Sequence, residues 1–403
     1  MPPKRKIIND PVYGFITLNH PLIFDILSHP YYQRLRRIHQ MALAQLVYPG
    51  AVHTRLHHSL GAYHLMCNAV IELKYKDVDI TPEEETAVKA AILLHDIGHG
   101  PFSHALEHSL VAGAHHEELS MQIIHEMNRQ LDGRLQLALD IFTGNYHKPF
   151  LYQLISGQLD VDRMDYLSRD SFFTGVSEGV IGYDRILKML VVHNGQLMIE
   201  EKGIYSVEKF LIARRQMYWQ VYLHKAVLAA EKMLVKIIER VKTIYNTNDI
   251  QLQTNCALDY FLNGFNGVMN KAALDMFCSM DDTDMMFAIK RWSKHPDVVL
   301  QTLCDGILNR RLLKCQLHDE PIDEGTLHAI RQKVAGQLGI SIEEAAFLVF
   351  SGEAVNTIYK MDDEHINVLF KDGQVKNIAQ VYNPLIHQTL STPVKKFYIC
   401  QLK

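Results

Sequence analysis

The chain has 403 residues, 48% of them hydrophobic and 21% charged, with a formal net charge of −4. That is enough apolar material for a large core. There is too little charge imbalance for a general pull toward nucleic acid, and no run of about 18 apolar residues that could span a membrane. Six cysteines without CxxC spacing argue against a cysteine zinc site or a disulfide framework and favour a reducing, cytoplasmic setting.

Residues 1–20 read as a short extended segment, with turn chemistry at Asp10-Pro11-Val12-Tyr13-Gly14 and a short strand at Phe15–Leu18. Residues 21–191 read as a helical core. Within it, Ala87–Leu94 runs without glycine or proline behind the first-turn carboxylates Glu83–Glu85, and Glu117–Met127 and Leu151–Ser168 look similar. Asn194-Gly195 between apolar runs predicts a hairpin over 191–199. It opens an extension, 192–321, with a long helix from Ser206 to about Tyr245 and short helices over 250–315. Residues 322–403 read as a small α+β appendage. Its elements are helices at Glu324–Leu338 and Ile342–Phe350, a hairpin of Ile366–Phe370 and Val375–Val381 around Asp372-Gly373, and a last strand at Lys396–Leu402. The expected fold is mainly α, a helical bundle with small β-hairpins.

Eleven of the 22 histidines fall between His53 and His125, under a fifth of the chain. His95-Asp96 follows the apolar run Ala90–Leu94. A helix that apolar is buried, and a buried charge must be paired or ligated. An imidazole beside a carboxylate offers one divalent metal a nitrogen and an oxygen, a set that suits Fe, Mn, Zn, Co or Ni better than Ca. Two adjacent residues cannot complete a site, so His58 and Asp162 are candidate partners from other helices. If 151–168 is helical, Asp162 and Tyr166 share a face with Asp170 next on the stripe. Such a polar row suits a pocket better than a packed core.

Together, His58, His95-Asp96 and Asp162 resemble the H…HD…D signature of the HD-domain metal-dependent phosphohydrolases. Asn9-Asp10-Pro11, Gln33–Arg36, His58–Gly61, the run from His95 to His104, His116-Glu117, Asp160–Tyr166 and Tyr222–Lys225 look like the deoxynucleoside triphosphate triphosphohydrolase branch. The likeness covers roughly residues 6 to 315. It implies His58, His95, Asp96 and Asp162 as ligands of one divalent metal (Fe, Mn, Zn, Ni, Co or Mg), with a second Mg accompanying the substrate phosphates. It implies His104 as proton donor to the leaving 5′ oxygen, Glu107 as the carboxylate that orients His104 or its partner, and His116, Glu117 and His99 in the same catalytic pocket. Arg55, Arg163 and Arg214 would hold phosphates, with Arg163 standing where the family has lysine. Tyr166 would reach a phosphate or the sugar, Gln40 and Asp170 would read the 3′ hydroxyl, and Tyr222 would exclude a 2′ hydroxyl. The implied reaction turns a dNTP into a deoxynucleoside and inorganic triphosphate, in a homodimer or homotetramer. No sterile-alpha-motif region precedes the match, which points to a bacterial-type relative.

His57, His64, His108 and His125 carry no role in the resemblance and read as surface or packing residues, and His115 is the register alternative to His116. Lys6, Asn9, Gln33, Arg36, Lys202, Arg310 and Lys314 stand where the vertebrate branch holds a regulatory nucleotide. Ser28, Glu200 and Ser206 depart from that pattern, so strict activation by GTP or dGTP is expected to be lost or altered. The basic cluster Arg34, Arg36 and Arg37 reads equally as a face for acidic partners. Two other readings stay open. One is an HD phosphohydrolase for a monophosphate, cyclic or signalling nucleotide. The other is a nucleotide sensor or single-stranded nucleic-acid binder, which the acidic balance disfavours.

Overall fold

The computed structural model describes residues 5–111, 115–263, 265–356, 365–381 and 394–403. A hairpin comes first, with β1 (Lys6–Asp10) antiparallel to β2 (Gly14–Leu18). Its turn closes because the Asp10 carboxylate accepts the backbone N–H groups of Val12 and Tyr13, both at 3.0 Å, and Gly14 takes a φ of 76°. The sequence supplies the turn and β2, while β1 was expected only as extended chain.

Four helices frame the site: α1 (Arg55–Tyr75), α2 (Pro82–Leu94), α3 (His116–Gln130) and α4 (Val161–Thr174). Thr81 and Glu84 form a capping box at the start of α2, with Pro82 at the first helical position. Its residues Ala90 to Leu94 are all buried, so the helix must end by delivering His95-Asp96 into the interior. The helix expected over Leu151–Ser168 is divided. A short helix covers Pro149–Gln153, and α4 starts only at Val161, where the Asp160 side chain accepts Arg163 N at 2.7 Å as N-cap. The expected shared face survives, because Asp162, Tyr166 and Asp170 all lie within α4.

β3 (Leu190–His193) and β4 (Gln196–Glu200) form the expected hairpin, with Asn194 and Gly195 both left-handed at φ 51° and 74°. The long helix expected after it breaks in two. α5 (Ile204–Met217) runs into a π-helical turn at Tyr218–Tyr222, and α6 (Lys225–Ile244) restarts behind His224, whose Nδ1 accepts Ala226 N. No glycine or proline marks that break. A π turn arises from local packing, and it is frequent at functional sites.

The later strands are β5 (Lys314–His318), β6 (Val349–Asn356), β7 (Asn367–Leu369), β8 (Val375–Asn377) and β9 (Val394–Gln401). β7 pairs in parallel with β4, and β9 lies between β5 and β6. Residues 322–403 therefore do not form a self-contained unit, since both of their sheets include a strand from before residue 321. β5 overlaps only the last two residues, 314 and 315, of the stretch expected to hold short helices. The expected helix Ile342–Phe350 ends at Ala345 and gives way to β6, and the expected strand Val375–Val381 ends at Asn377. No described helix is long and apolar enough to cross a membrane.

Candidate active site

His58 comes from α1, His95 and Asp96 from the end of α2, and Asp162 from the first turn of α4. His58 Nε2 lies 3.2 Å from His95 Nε2 and 3.0 Å from Asp162 Oδ1, and His95 Nε2 lies 3.4 Å from the same oxygen. The Asp96 carboxylate approaches each imidazole at 3.5 Å. Metal–ligand bonds of about 2.0–2.2 Å put neighbouring donor atoms about 3.0 Å apart at right angles and about 3.4 Å apart at tetrahedral angles. The four side chains already hold that spacing, and two carboxylates balance one divalent charge. Burial opposes a charge on His58, yet its hydrogen bonds with Asp162 and Asp165 push its pKa up to about 10. The field at this point strongly favours a cation.

The ligand atoms are oriented from behind. The Asp165 carboxylate, which only accepts, receives His58 Nδ1–H at 2.7 Å, and Ile92 O receives His95 Nδ1–H at 2.7 Å, so both Nε2 lone pairs face the metal position. Arg169 donates to Asp165 through Nε and Nη2, each at 3.0 Å, and to Asp10 at 2.9 Å. The loop after His95-Asp96 is held by Arg34, which is wholly buried and donates to His99 O at 2.8 Å and Ile97 O at 3.0 Å. This corrects the reading of Arg34, Arg36 and Arg37 as one surface cluster. Only Arg36 and Arg37 are exposed, and Arg37 pairs with Asp281.

A strained turn carries the next histidine. Phe102 and Ser103 sit at φ 55° and 53°, left-handed values that cost a non-glycine residue about 1–3 kcal/mol. Three hydrogen bonds hold the turn: Phe102 N to Asp282 Oδ1 at 2.6 Å, Ser103 Oγ to His39 O at 2.8 Å, and Arg55 Nε to Ser103 Oγ at 2.8 Å. The turn brings His104 Nε2 to 3.3 Å from His99 Nε2. Glu107 bridges the remaining pair, accepting His104 Nδ1–H at 2.9 Å and His116 Nδ1–H at 2.7 Å. Burial alone would raise the Glu107 pKa, but these bonds hold it well below the usual range. Burial and then Arg55 pull the His99 pKa far down, so His99 is a neutral ring 4.2 Å from that of His116. His104 is the accessible member, 65% exposed.

All of this opens on a cavity of about 550 Å³, large enough for a nucleotide. Its lining includes Asp96 and Asp162, the histidines 99, 104 and 116, the arginines 55, 163 and 214, and Gln40, Tyr166, Asp170 and Tyr222. Arg55 spends part of its guanidinium on Asp96. Arg163 donates to Gly157 O and pairs with Asp160, and Arg214 donates to Gln158 at 3.3 Å. Asp170 is clamped between His53 Nε2 and the Tyr222 hydroxyl, each at 2.7 Å. Burial, then Asp170, raises the Tyr222 pKa well above its ordinary value, so the phenol stays protonated. Gln40 Oε1 is buried with no hydrogen-bond partner among the described residues. Sequence reasoning missed Glu231 on the cavity wall, a carboxyl that burial pushes up to about 7.

Residues 55–170 match the HD domain family and residues 181–263 the HD associated region. YwfO of Bacillus subtilis is 31% identical over 388 residues, which is 94% of this chain and 88% of that protein. The chain belongs to the HD-domain phosphohydrolases. A crystal structure of a phosphohydrolase from Bacteroides thetaiotaomicron shares 48% identity and a TM-score of 0.94, covering 99% of this chain and 100% of that one. The deoxynucleoside triphosphate triphosphohydrolase SAMHD1 of Danio rerio is 27% identical over 356 residues, 77% of this chain and 55% of that protein. HD domains bind a divalent metal, and His58, His95 and Asp162 are grouped as one requires, with Asp96 beside them.

Other expected positions lie apart from this HD site. Glu117 is exposed in the first turn of α3, outside the cavity lining, and the carboxylate that serves His116 is Glu107. Successive residues of a helix point about a third of a turn apart, so Glu117 does not share the face of His116. His57 caps α1 through Thr54, His64 stacks on Tyr13, His125 is exposed, and the His108 side chain lies outside the described residues. Lys6 and Asn9 lie on β1, Gln33 accepts a hydrogen bond from Arg36, Arg310 donates to Leu46 O, Lys314 starts β5, and Lys202 is exposed behind β4. Apart from the Arg36–Gln33 pair, the described hydrogen bonds do not join these groups to one another. Glu200, one of the departures, is paired with Lys76.

Proposed function

We propose that this hydrolase cleaves deoxynucleoside triphosphates to a deoxynucleoside and inorganic triphosphate. The observation that carries this reading is that Asp96 and Asp162 of the candidate metal set, three arginines and the Asp170–Tyr222 pair line one cavity. A monophosphate needs fewer cations, and a cyclic or signalling nucleotide gives no reason for a phenol fixed beside the sugar position. The metal, when bound, polarises a phosphoryl oxygen and lowers the pKa of water. Arg55, Arg163 and Arg214 take the phosphate charge. His104, with its Nδ1–H held by Glu107, presents Nε2 as the group that protonates the departing 5′ oxygen, an assistance of about 10²–10⁴-fold. His99 and His116 flank it and Tyr166 contacts a phosphate or the sugar. The unpartnered Gln40 Oε1 accepts the 3′ hydroxyl beside Asp170, and Tyr222, locked by Asp170, occupies the space a 2′ hydroxyl needs.

The positions Lys6, Asn9, Gln33, Arg36, Lys202, Arg310 and Lys314, five cations and two amides, fit an activating nucleotide where copies of the chain meet. That supports a homodimer or homotetramer with altered activator choice.

The deciding experiment incubates metal-reconstituted protein with each dNTP and NTP and identifies the phosphate product. Inorganic triphosphate from dNTPs alone is expected, and pyrophosphate, monophosphate or no product from every nucleotide rejects the reading. His104→Ala should keep the metal by elemental analysis and lose about 10²–10⁴-fold in kcat. Turnover near wild type would remove His104 as proton donor.

A further inference from the structure

Six cysteines carry free thiols, and two of them meet. Cys315 on β5 and Cys400 on β9 are direct register partners of an antiparallel pair. Such partners have Cα atoms about 4.5–5.5 Å apart and side chains on the same face. A disulfide needs about 4.4–6.8 Å. The two thiols are already in hydrogen-bonding contact. The others are placed differently: Cys67 contacts Tyr63 within α1, Cys256 contacts Thr254 Oγ1 at 3.1 Å, and Cys278 and Cys304 are buried in separate helices. Among the described residues no second pair of cysteines shares a strand register.

The surroundings make the pair more than adjacent small residues. Tyr398 and Phe350 flank Cys400 on its own strand and on β6, and α6 lays Lys232 over the Tyr398 ring at 6.0 Å and Lys236 over the Phe350 ring at 5.1 Å. The dithiol is thus enclosed between the sheet and α6, the helix whose Val227 and Glu231 line the catalytic cavity. Cys315 is 8% exposed and Cys400 fully buried. The two thiols are unequal. The hydrogen bond from Cys400, aided by Lys225 at the start of α6, draws the Cys315 pKa down, and the same contact, with burial, drives that of Cys400 up. A low-pKa thiol beside a protonated one matches the attacking and resolving partners of a redox pair.

We propose that Cys315 and Cys400 are a modification site, a dithiol that a hydroperoxide converts reversibly to a disulfide clasp between β5 and β9. The Cys315 thiolate attacks the peroxide, an S–O bond forms, the O–O bond breaks, and the departing oxygen takes a proton. Cys400 then gives up its proton and attacks the sulfenic sulfur, so that an S–S bond forms, the S–O bond breaks, and water leaves. The two thiols lose two electrons and the O–O bond gains them. A hydroperoxide is small enough for a thiol with so little exposure. The clasp joins residue 315 to residue 400 across a long intervening segment. It therefore restricts the unfolded chain far more than the already paired strands.

Hydrogen peroxide in modest excess over the full-length protein, followed by denaturation, alkylation and peptide mapping, tests this. The expected product is a monomer lighter by two hydrogens, with Cys315 linked to Cys400, four alkylated thiols, and a Tm raised by a few degrees. Dithiothreitol should reverse both changes. Cys400→Ser and Cys315→Ser should each abolish the link and the thermal shift. Six alkylated thiols after oxidation, a link between any other pair, or sulfinic acid at Cys315 without a link would overturn the proposal. The wild-type map decides it even if a variant fails to fold, and none of these readouts depends on the substrate.

Discussion

His58 can ligate only while Nδ1 keeps its proton, and the carboxylate that holds that proton is Asp165, 2.7 Å away. Asp165→Asn removes the charge and offers an amide in its place. Metal affinity should fall about 10–100-fold in a competition titration. Because Arg169 then faces a neutral partner in a buried setting, urea unfolding should also show a loss of about 3 kcal/mol. Unchanged metal affinity would show that Asp165 serves the fold alone. Glu231 has the opposite character. Burial raises its pKa from 4.5 to about 7, so the native state disfavours its charged form. Its contribution to stability is complete below about pH 4.5 and is lost as pH rises through about 7. Glu231→Gln should flatten that part of the pH–stability profile and gain about 1–2 kcal/mol at pH 8, a figure reduced for its partial exposure. Parallel profiles for the two proteins would contradict the assignment.

At the level of elements, α1 and α4 set the position of the candidate metal ligands by how closely they approach. A Cβ on Gly61 would lie 2.0 Å from Asp165 Oδ1 and 2.1 Å from Arg169 Nη2. Gly61→Ala is expected to cost about 3 kcal/mol or more in denaturant unfolding, since backbone or a buried ion pair must move. Wild-type stability would mean the helices separate freely. Features written in local chemistry were legible in the sequence: the first-turn carboxylates Glu83–Glu85, the Asn194-Gly195 hairpin, and the apolar helix ending in His95-Asp96. The break before Asp160 was hidden because an N-cap aspartate and a helix-interior aspartate look alike until the turn is seen. The π turn at Tyr218–Tyr222 leaves no residue signature, and β5 has its partner β9 roughly eighty residues away. The candidate metal ligands follow from residue type and family likeness. Asp10, Arg34, Asp165 and Arg169 could not, because a charged residue reads as solvated and only tertiary packing buries it. The spacing of Asp165 and Arg169, four residues apart on a helix, was the one available signal.

On the scale of the whole molecule, the cavity draws on residues from Gln40 to Glu231, so no short segment contains the site. The chain's closing strands lie outside it but complete the sheets behind it. β7 covers one side of β4, and β9 covers β5. A protein ending at residue 321 would keep every candidate catalytic side chain and yet carry two strands with unanswered N–H and C=O groups. Bare strand edges recruit other chains. Such a truncation is expected to elute as large, concentration-dependent assemblies in size-exclusion chromatography, and a well-behaved species of the full-length protein's oligomeric state would contradict this. The last eighty residues would then act as a guard against self-association, keeping a catalytic body that is otherwise complete from polymerising through its own sheets.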